Sequence, residues 1–98
     1  MRVFHTDRKL ERLESDQTFT AGFGPDVVKA YRKLMQFIRA ANDERDFYNM
    51  KSLHYEKLMG NRSHQRSMRL NDKYRLILEI RQDAVGKFIV IISIEDYH

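Results

Sequence analysis

There is no cysteine among the 98 residues of this chain, which excludes disulfides, thiolate metal sites and a cysteine nucleophile. That composition suits a reducing compartment. No stretch approaches the ~20 consecutive apolar residues of a membrane span. The opening residues, MRVFHTDRKLERLE, hold no apolar run of signal-peptide length. A soluble cytoplasmic protein is therefore expected. Repeats, low-complexity tracts and linkers are also missing, so residues 1–98 read as a single domain large enough for one core. His5, His54, His64 and His98 show no ligand spacing such as His-x₃-His. With cysteine absent as well, neither a metal site nor a cofactor is expected.

What is present is patterned. Arg2 to His5 reads as a short strand. Thr6 or Asp7 is placed to cap a helix that carries Leu10 and Leu13 on one face. Two glycines within residues 19–24 end that segment, and the single proline, Pro25, opens a second helix. Val27, Tyr31, Leu34, Ile38 and Ala41 follow at helical spacing, with Val28 and Met35 widening the stripe. Residues 47–59 are ambiguous: Phe47, Met50 and Leu53 suggest a helical turn, while residues 53–58 have the length of a strand. The methionines Met35, Met50, Met59 and Met68 read as core filler, and Tyr31 and Tyr74 as core aromatics.

The period then changes. Met68, Leu70, Tyr74, Leu76, Leu78 and Ile80 keep even spacing across the turn residues Asn71 and Asp72. A three-residue loop, 71–73, preserves one apolar face by pairing Leu70 with Tyr74 and Met68 with Leu76. Residues 87–94, KFIVIISI, are apolar on both parities, the pattern of a central strand covered on both sides. Helices first and antiparallel strands afterwards predict an α+β domain, a small antiparallel sheet with N-terminal helices on one face.

Charge is concentrated rather than spread. Residues 60–81 contain Arg62, Arg66, Arg69, Lys73, Arg75 and Arg81 against Asp72 and Glu79, which accounts for the entire net charge of +4. A ribbon with a local positive field is a surface for a polyanion. The expected register also sets Arg69 directly across from Arg75, on the face away from the helices. Like charges so placed are destabilising, unless an anion sits between them or water and salt screen them. Guanidinium forks suit phosphate; the plainer alternative is a solvated outer face. After the last apolar strand, residues 94–98, IEDYH, offer Tyr97, a ring able to stack on a base, and His98, which titrates near neutrality. A frayed polar tail is the alternative there.

Residues 58–78, LMGNRSHQRSMRLNDKYRLIL, resemble the signature of HigB-type toxins of the RelE superfamily: G-[DN]-R, then S-[IM]-R-[VL]-N-D, an aromatic, Arg and an apolar run. The terminal IEDYH is similar to the ending of the same family. The resemblance implies a ribosome-dependent mRNA endonuclease, the toxin of a type II toxin–antitoxin pair, with helices on one face of a small sheet and the RNA site on the other. It places the family's strand arginine on Arg75 and its terminal group on Asp96, Tyr97 and His98. Arg62 and Arg69 fall on basic positions suited to RNA contact, and Lys73 adds a further cation. The implied partners are a helix-turn-helix, HigA-like antitoxin, the ribosome and mRNA, with DNA reached only through the antitoxin and no membrane involved.

One departure stands out. The family pattern has a His four residues before the motif glycine and a Lys immediately before it; here those positions are Glu56 and Met59. His54 and Lys57 each lie two residues further upstream. Either a loop shift brings His54 and Lys57 to the RNA, or the site lacks that basic pair and Glu56 serves as the base. In the implied mechanism Arg75, helped by Arg69 or Arg62, takes the charge on the reacting phosphate. Tyr97 stacks on a base, and His98, Glu56 or Asp96 moves protons. A non-catalytic RNA- or partner-binding module of the same fold is the competing reading. A DNA-binding regulator is disfavoured because the basic residues lie on strands.

Overall fold

The computed structural model of the protein describes residues 1–96. Asp7 starts the first helix: its carboxylate accepts the Lys9 N–H at 2.8 Å, satisfying one of the donors a helix start leaves open. That helix, α1 (Arg8–Ser15), buries Leu10 and Leu13. Pro25 takes the first position of α2 (Pro25–Ala40), where its lack of an N–H does no harm. Val27, Val28, Tyr31, Leu34, Met35 and Ile38 share the buried face of α2, as their spacing predicts. The Tyr31 hydroxyl donates to the Leu10 carbonyl at 2.9 Å inside the core, tying the two helices together.

The ambiguous segment contains both of its alternatives. Helix α3 (Arg45–Asn49) buries Phe47, a 3₁₀ turn follows at Lys51–Leu53, and β2 is the two-residue strand Glu56–Lys57. The other strands are β1 (Arg2–His5), β3 (Gln65–Arg69), β4 (Tyr74–Gln82) and β5 (Lys87–Asp96). They form one five-stranded sheet in the order β1-β5-β4-β3-β2. The β3–β4 register sets Met68 opposite Leu76 and Arg69 opposite Arg75, as expected. Asn71 closes the connecting loop, accepting the N–H groups of Lys73 at 2.9 Å and Tyr74 at 2.7 Å.

Two expectations about the sheet need correction. It is mixed, not purely antiparallel, because β1 runs parallel to β5 with Val3 beside Ile89. A parallel neighbour needs a crossover connection, here everything from α1 to β4, and four residues of strand pattern do not say which edge they will join. Secondly, β5 is interior but β4 is the central strand, and helices cover only one face. Before Ile92 both parities of β5 are apolar on their own faces, with Phe88 and Val90 outward and Ile89 and Ile91 towards the helices; a bulge then intervenes, since Ile77 pairs with Ser93 but Leu78 with Ile91, leaving Ile92 as the extra residue. The insertion reverses the alternation downstream.

On the helix side, Leu76, Leu78, Ile89, Ile91 and Met68 are fully buried against α1 and α2, each worth about 1.5–3 kcal/mol of transfer free energy. On the outer face Ile77 and Val90 are also buried. Neither belongs to the core cluster that packs with the helices. The methionines divide: Met35 and Met68 are core, whereas Met50 and Met59 are exposed, since they sit in the turns around β2 and not on a packed face. No helix among the described residues is long and apolar enough to cross a membrane.

Candidate functional site

Strand alternation assembles the site on the outer face. In β3 it turns Gln65, Ser67 and Arg69 outward; in β4, Arg75, Ile77 and Glu79. From the start of β5, where Phe88 and Val90 face outward opposite Arg81 and Glu79, unbroken alternation would send Asp96 outward too. The bulge sends Ser93 and Glu95 there instead, with Glu95 directly across from Arg75. Glu56 joins from β2, paired with Ser67. A further side chain comes from a 3₁₀ turn at Gly60–Arg62 that begins with Gly60 at φ 65°. Residues with a Cβ adopt that backbone conformation only at a cost, so the glycine is required for the turn that presents Arg62.

Hydrogen bonds join these residues in neighbouring groups on the one face. Arg62 donates both terminal nitrogens to Glu95, at 3.0 and 2.8 Å, and its Nε to Gln65 Oε1 at 2.8 Å. The Ser93 hydroxyl donates to Glu95 at 2.6 Å. Arg75 reaches Ser67 Oγ at 3.3 Å and Glu56 Oε2 at 3.4 Å, with only 19% of its side chain exposed. Arg69 pairs with Asp72. Arg81 donates twice to Glu79, at 2.9 and 2.7 Å, and Gln65 donates to the same residue's carboxylate at 3.4 Å. The Arg69–Arg75 juxtaposition is thus compensated within the chain, by Asp72, Glu56 and the facing Glu95, rather than by solvent alone.

The pairings hold the acids ionised. The Arg62 hydrogen bonds, against the effect of burial and with help from Ser93, hold Glu95 below the usual glutamate range. For Glu79 burial is the largest influence and favours the neutral form, but the hydrogen bonds from Arg81 and Gln65 together outweigh it and its pKa is also lowered. The face is a lattice of fixed, alternating charges near neutral pH.

Not every candidate joins this lattice. Lys57 pairs with Arg66, so it takes the opposite side of β2 from Glu56. Arg66 itself is half-buried on the helix side, its Nε 3.7 Å from Glu44. His54 ends the Lys51–Leu53 turn in a left-handed conformation, φ 48°, and is exposed. Lys73 sits in the β3–β4 loop with its ammonium 5.3 Å from the Tyr74 ring centre. Asp96 is exposed and lies across from Tyr74, whose ring packs edge-on against Phe23 on the helix side. Tyr97 and His98 lie outside the described residues. Sequence reasoning passed over Glu95, Gln65, Ser67, Ser93 and Glu79. Alternation through β3 and β4 could have found Ser67 and Glu79, but only the bulge exposes Glu95. Among the described residues no group of three or more His, Cys, Asp or Glu side chains is placed to hold a metal ion.

With the geometry in place, the family follows from the sequence as a whole. The model of the RelE-like toxin of the type II toxin–antitoxin system HigB matches residues 3–98. The chain belongs to the HigB-like toxin family. Its fold is shared with solved toxins of low identity. It is similar to the YoeB/ParE toxin of Agrobacterium tumefaciens, with a TM-score of 0.60, 15% identity and both chains covered in full. The YoeB–YefM complex of Staphylococcus aureus gives a TM-score of 0.55 at 22% identity, covering 100% of this chain and 97% of the other. The comparison with curated protein sequences finds no match. The outer-face network is therefore that of a HigB-like toxin.

Proposed function

We propose that this HigB-like toxin is a ribosome-dependent mRNA endonuclease that blocks translation, with its RNA site on the outer face around Arg75. The observation that supports it most is the position of Arg75. It stands near the start of the central strand, largely shielded from solvent, steadied by Ser67 and Glu56, with the guanidinium of Arg62 held on the same face. Pre-aimed charge of this kind usually contributes more than any other effect to stabilising a developing anion.

RNA supplies its own nucleophile. The ribose 2′-OH attacks the adjacent phosphate, the 5′-oxygen of the next nucleotide leaves, and the products are a 2′,3′-cyclic phosphate and a 5′-hydroxyl. Glu56, 3.4 Å from Arg75, removes the 2′-OH proton. Arg75 and Arg62 stabilise the pentacoordinate phosphate, Tyr97 stacks on a base, and His98 protonates the leaving oxygen. A carboxylate where the family pattern has a histidine makes a weak acid–base set, and positioning of the message by ribosomal RNA makes up the deficit. In the cytoplasm a HigA-like antitoxin carrying a helix-turn-helix holds the toxin inactive and provides its only link to DNA. Incubating the purified toxin with a message alone and with the same message on ribosomes tests the proposal: cuts are expected only with ribosomes.

A second reading, a non-catalytic RNA-binding module, is favoured by one observation. The register turns Lys57 to the side of β2 opposite Glu56, so the basic pair of the family pattern is not reassembled beside Arg75. Stalled ribosomes on uncut messages would support it.

A further inference from the structure

We infer that Glu95 is a built-in competitor for the RNA phosphate: it fills the guanidinium fork of Arg62 and thereby sets how tightly the outer face binds nucleic acid. The inference rests on the proposed RNA site and specifies what guards it. Glu95 meets Arg62 through two parallel N–H···O bonds of 3.0 and 2.8 Å, the same two-pronged geometry an arginine offers to phosphate. Removal of the carboxylate would not release the fork, because Gln65 holds Arg62 Nε at 2.8 Å. The pair is also reachable, with 43% of the Arg62 and 38% of the Glu95 side chain exposed, so an incoming anion can exchange for the carboxylate.

Glu95 is placed there by specific devices. The β5 bulge turns it to the outer face, and Ser93 fixes one carboxylate oxygen at 2.6 Å. Its Cα partner across the sheet is Arg75, so the negative charge borders both arginines proposed to meet the scissile phosphate. A phosphate entering beside them replaces one anion by another, and the charge balance of the lattice is kept. Longer polyanions without the right local geometry must break the Arg62–Glu95 pair for no compensating contact, which makes the face selective despite its arginines.

The alternative is that Glu95 only anchors the Gly60–Arg62 turn to β5. The two are separated by Glu95→Gln, which keeps the size of the side chain and one acceptor oxygen for the turn but removes its charge and the two-pronged pairing. The probe is a short 2′-O-methyl RNA oligonucleotide, which binds but lacks the free 2′-OH needed for cleavage. A competitor predicts tighter binding by the variant, about fivefold at low salt for a half-exposed pair. It also predicts a salt dependence steeper by ~0.7 in log–log slope, the increment for one more phosphate neutralised on a single strand. The gain should vanish when Arg62→Ala is added. Ser93→Ala, which loosens Glu95 without removing its charge, should give a smaller gain in the same direction, and provides the test if Glu95→Gln does not fold. Unchanged or weaker binding by the variants, with the wild type binding normally, overturns the role of Glu95 alone. If neither wild type nor variant binds the oligonucleotide, the RNA site falls and this inference with it.

Discussion

Replacing Arg75 by alanine should separate catalysis from folding. Its ion pair with Glu56 involves a partner whose side chain is 55% exposed, and such pairs contribute little to stability, up to about 1 kcal/mol. The Ser67 hydroxyl, on a residue only 1% exposed, loses a donor, a further cost of about 1 kcal/mol. These two losses together, about 1–2 kcal/mol, are modest beside the ~5–15 kcal/mol stability of a domain. They correspond to a melting shift of roughly 4–16 °C at this size. Under the proposed mechanism, removing the charge that meets the reacting phosphate should instead cost about 10²–10³ in rate. The assay is paired: thermal unfolding by circular dichroism, and cleavage of a ribosome-bound message by the same preparation. A folded Arg75→Ala protein that cuts at the wild-type rate would refute the assignment, as would a variant that is inactive only because it is unfolded.

Other outcomes follow from the core and the helix ends. Ile89→Ala, at a fully buried site on β5, should destabilise the protein by about 2–5 kcal/mol in urea unfolding; a loss below about 1 kcal/mol would contradict the packing described. Asp7→Ala removes the α1 cap and should cost about 0.5–2 kcal/mol in the same assay. His5 is enclosed, its side chain 4% exposed with Nε2 3.4 Å from Glu14; burial lowers its pKa, with Glu14 and Glu11 opposing. The unfolded chain therefore takes up the proton first, and stability should fall as pH drops from about 7 towards 5, through the ordinary histidine range. Unfolding free energies of wild type and His5→Leu compared over that range should diverge in slope, and parallel curves would disprove it.

Much of this architecture was legible in the sequence because it rests on local rules. A cap at Thr6 or Asp7, the Pro25 start, the stripe from Val27 to Ile38 and the Met68–Leu76 register each follow from spacing and turn chemistry. The parallel placement of β1 was not legible, because the choice of sheet edge depends on the packing of everything in between. The segment around Phe47 and Glu56 is too short for periodicity to decide, and it proved to be helix, turn and strand in succession. For the site, alternation correctly gathered Arg69 and Arg75 on one face, and the turn at Gly60 added Arg62. The faces of Glu95 and Asp96 were not legible, because a single extra residue at Ile92 exchanges them. The acids that balance the arginines were hidden for a related reason: net charge counted along the chain is +4 over residues 60–81, but the sheet brings in Glu56 and Glu95 from outside that segment.

The chemistry of RNA ends in cells after induction of the toxin tests the proposed mechanism most directly. New ends inside translated regions, with 5′-hydroxyls on one side of the cut and 2′,3′-cyclic or 2′- or 3′-phosphates on the other, absent when Arg75→Ala is induced, are the predicted result. Growth arrest with intact messages, or cuts that leave 5′-phosphates, would contradict it.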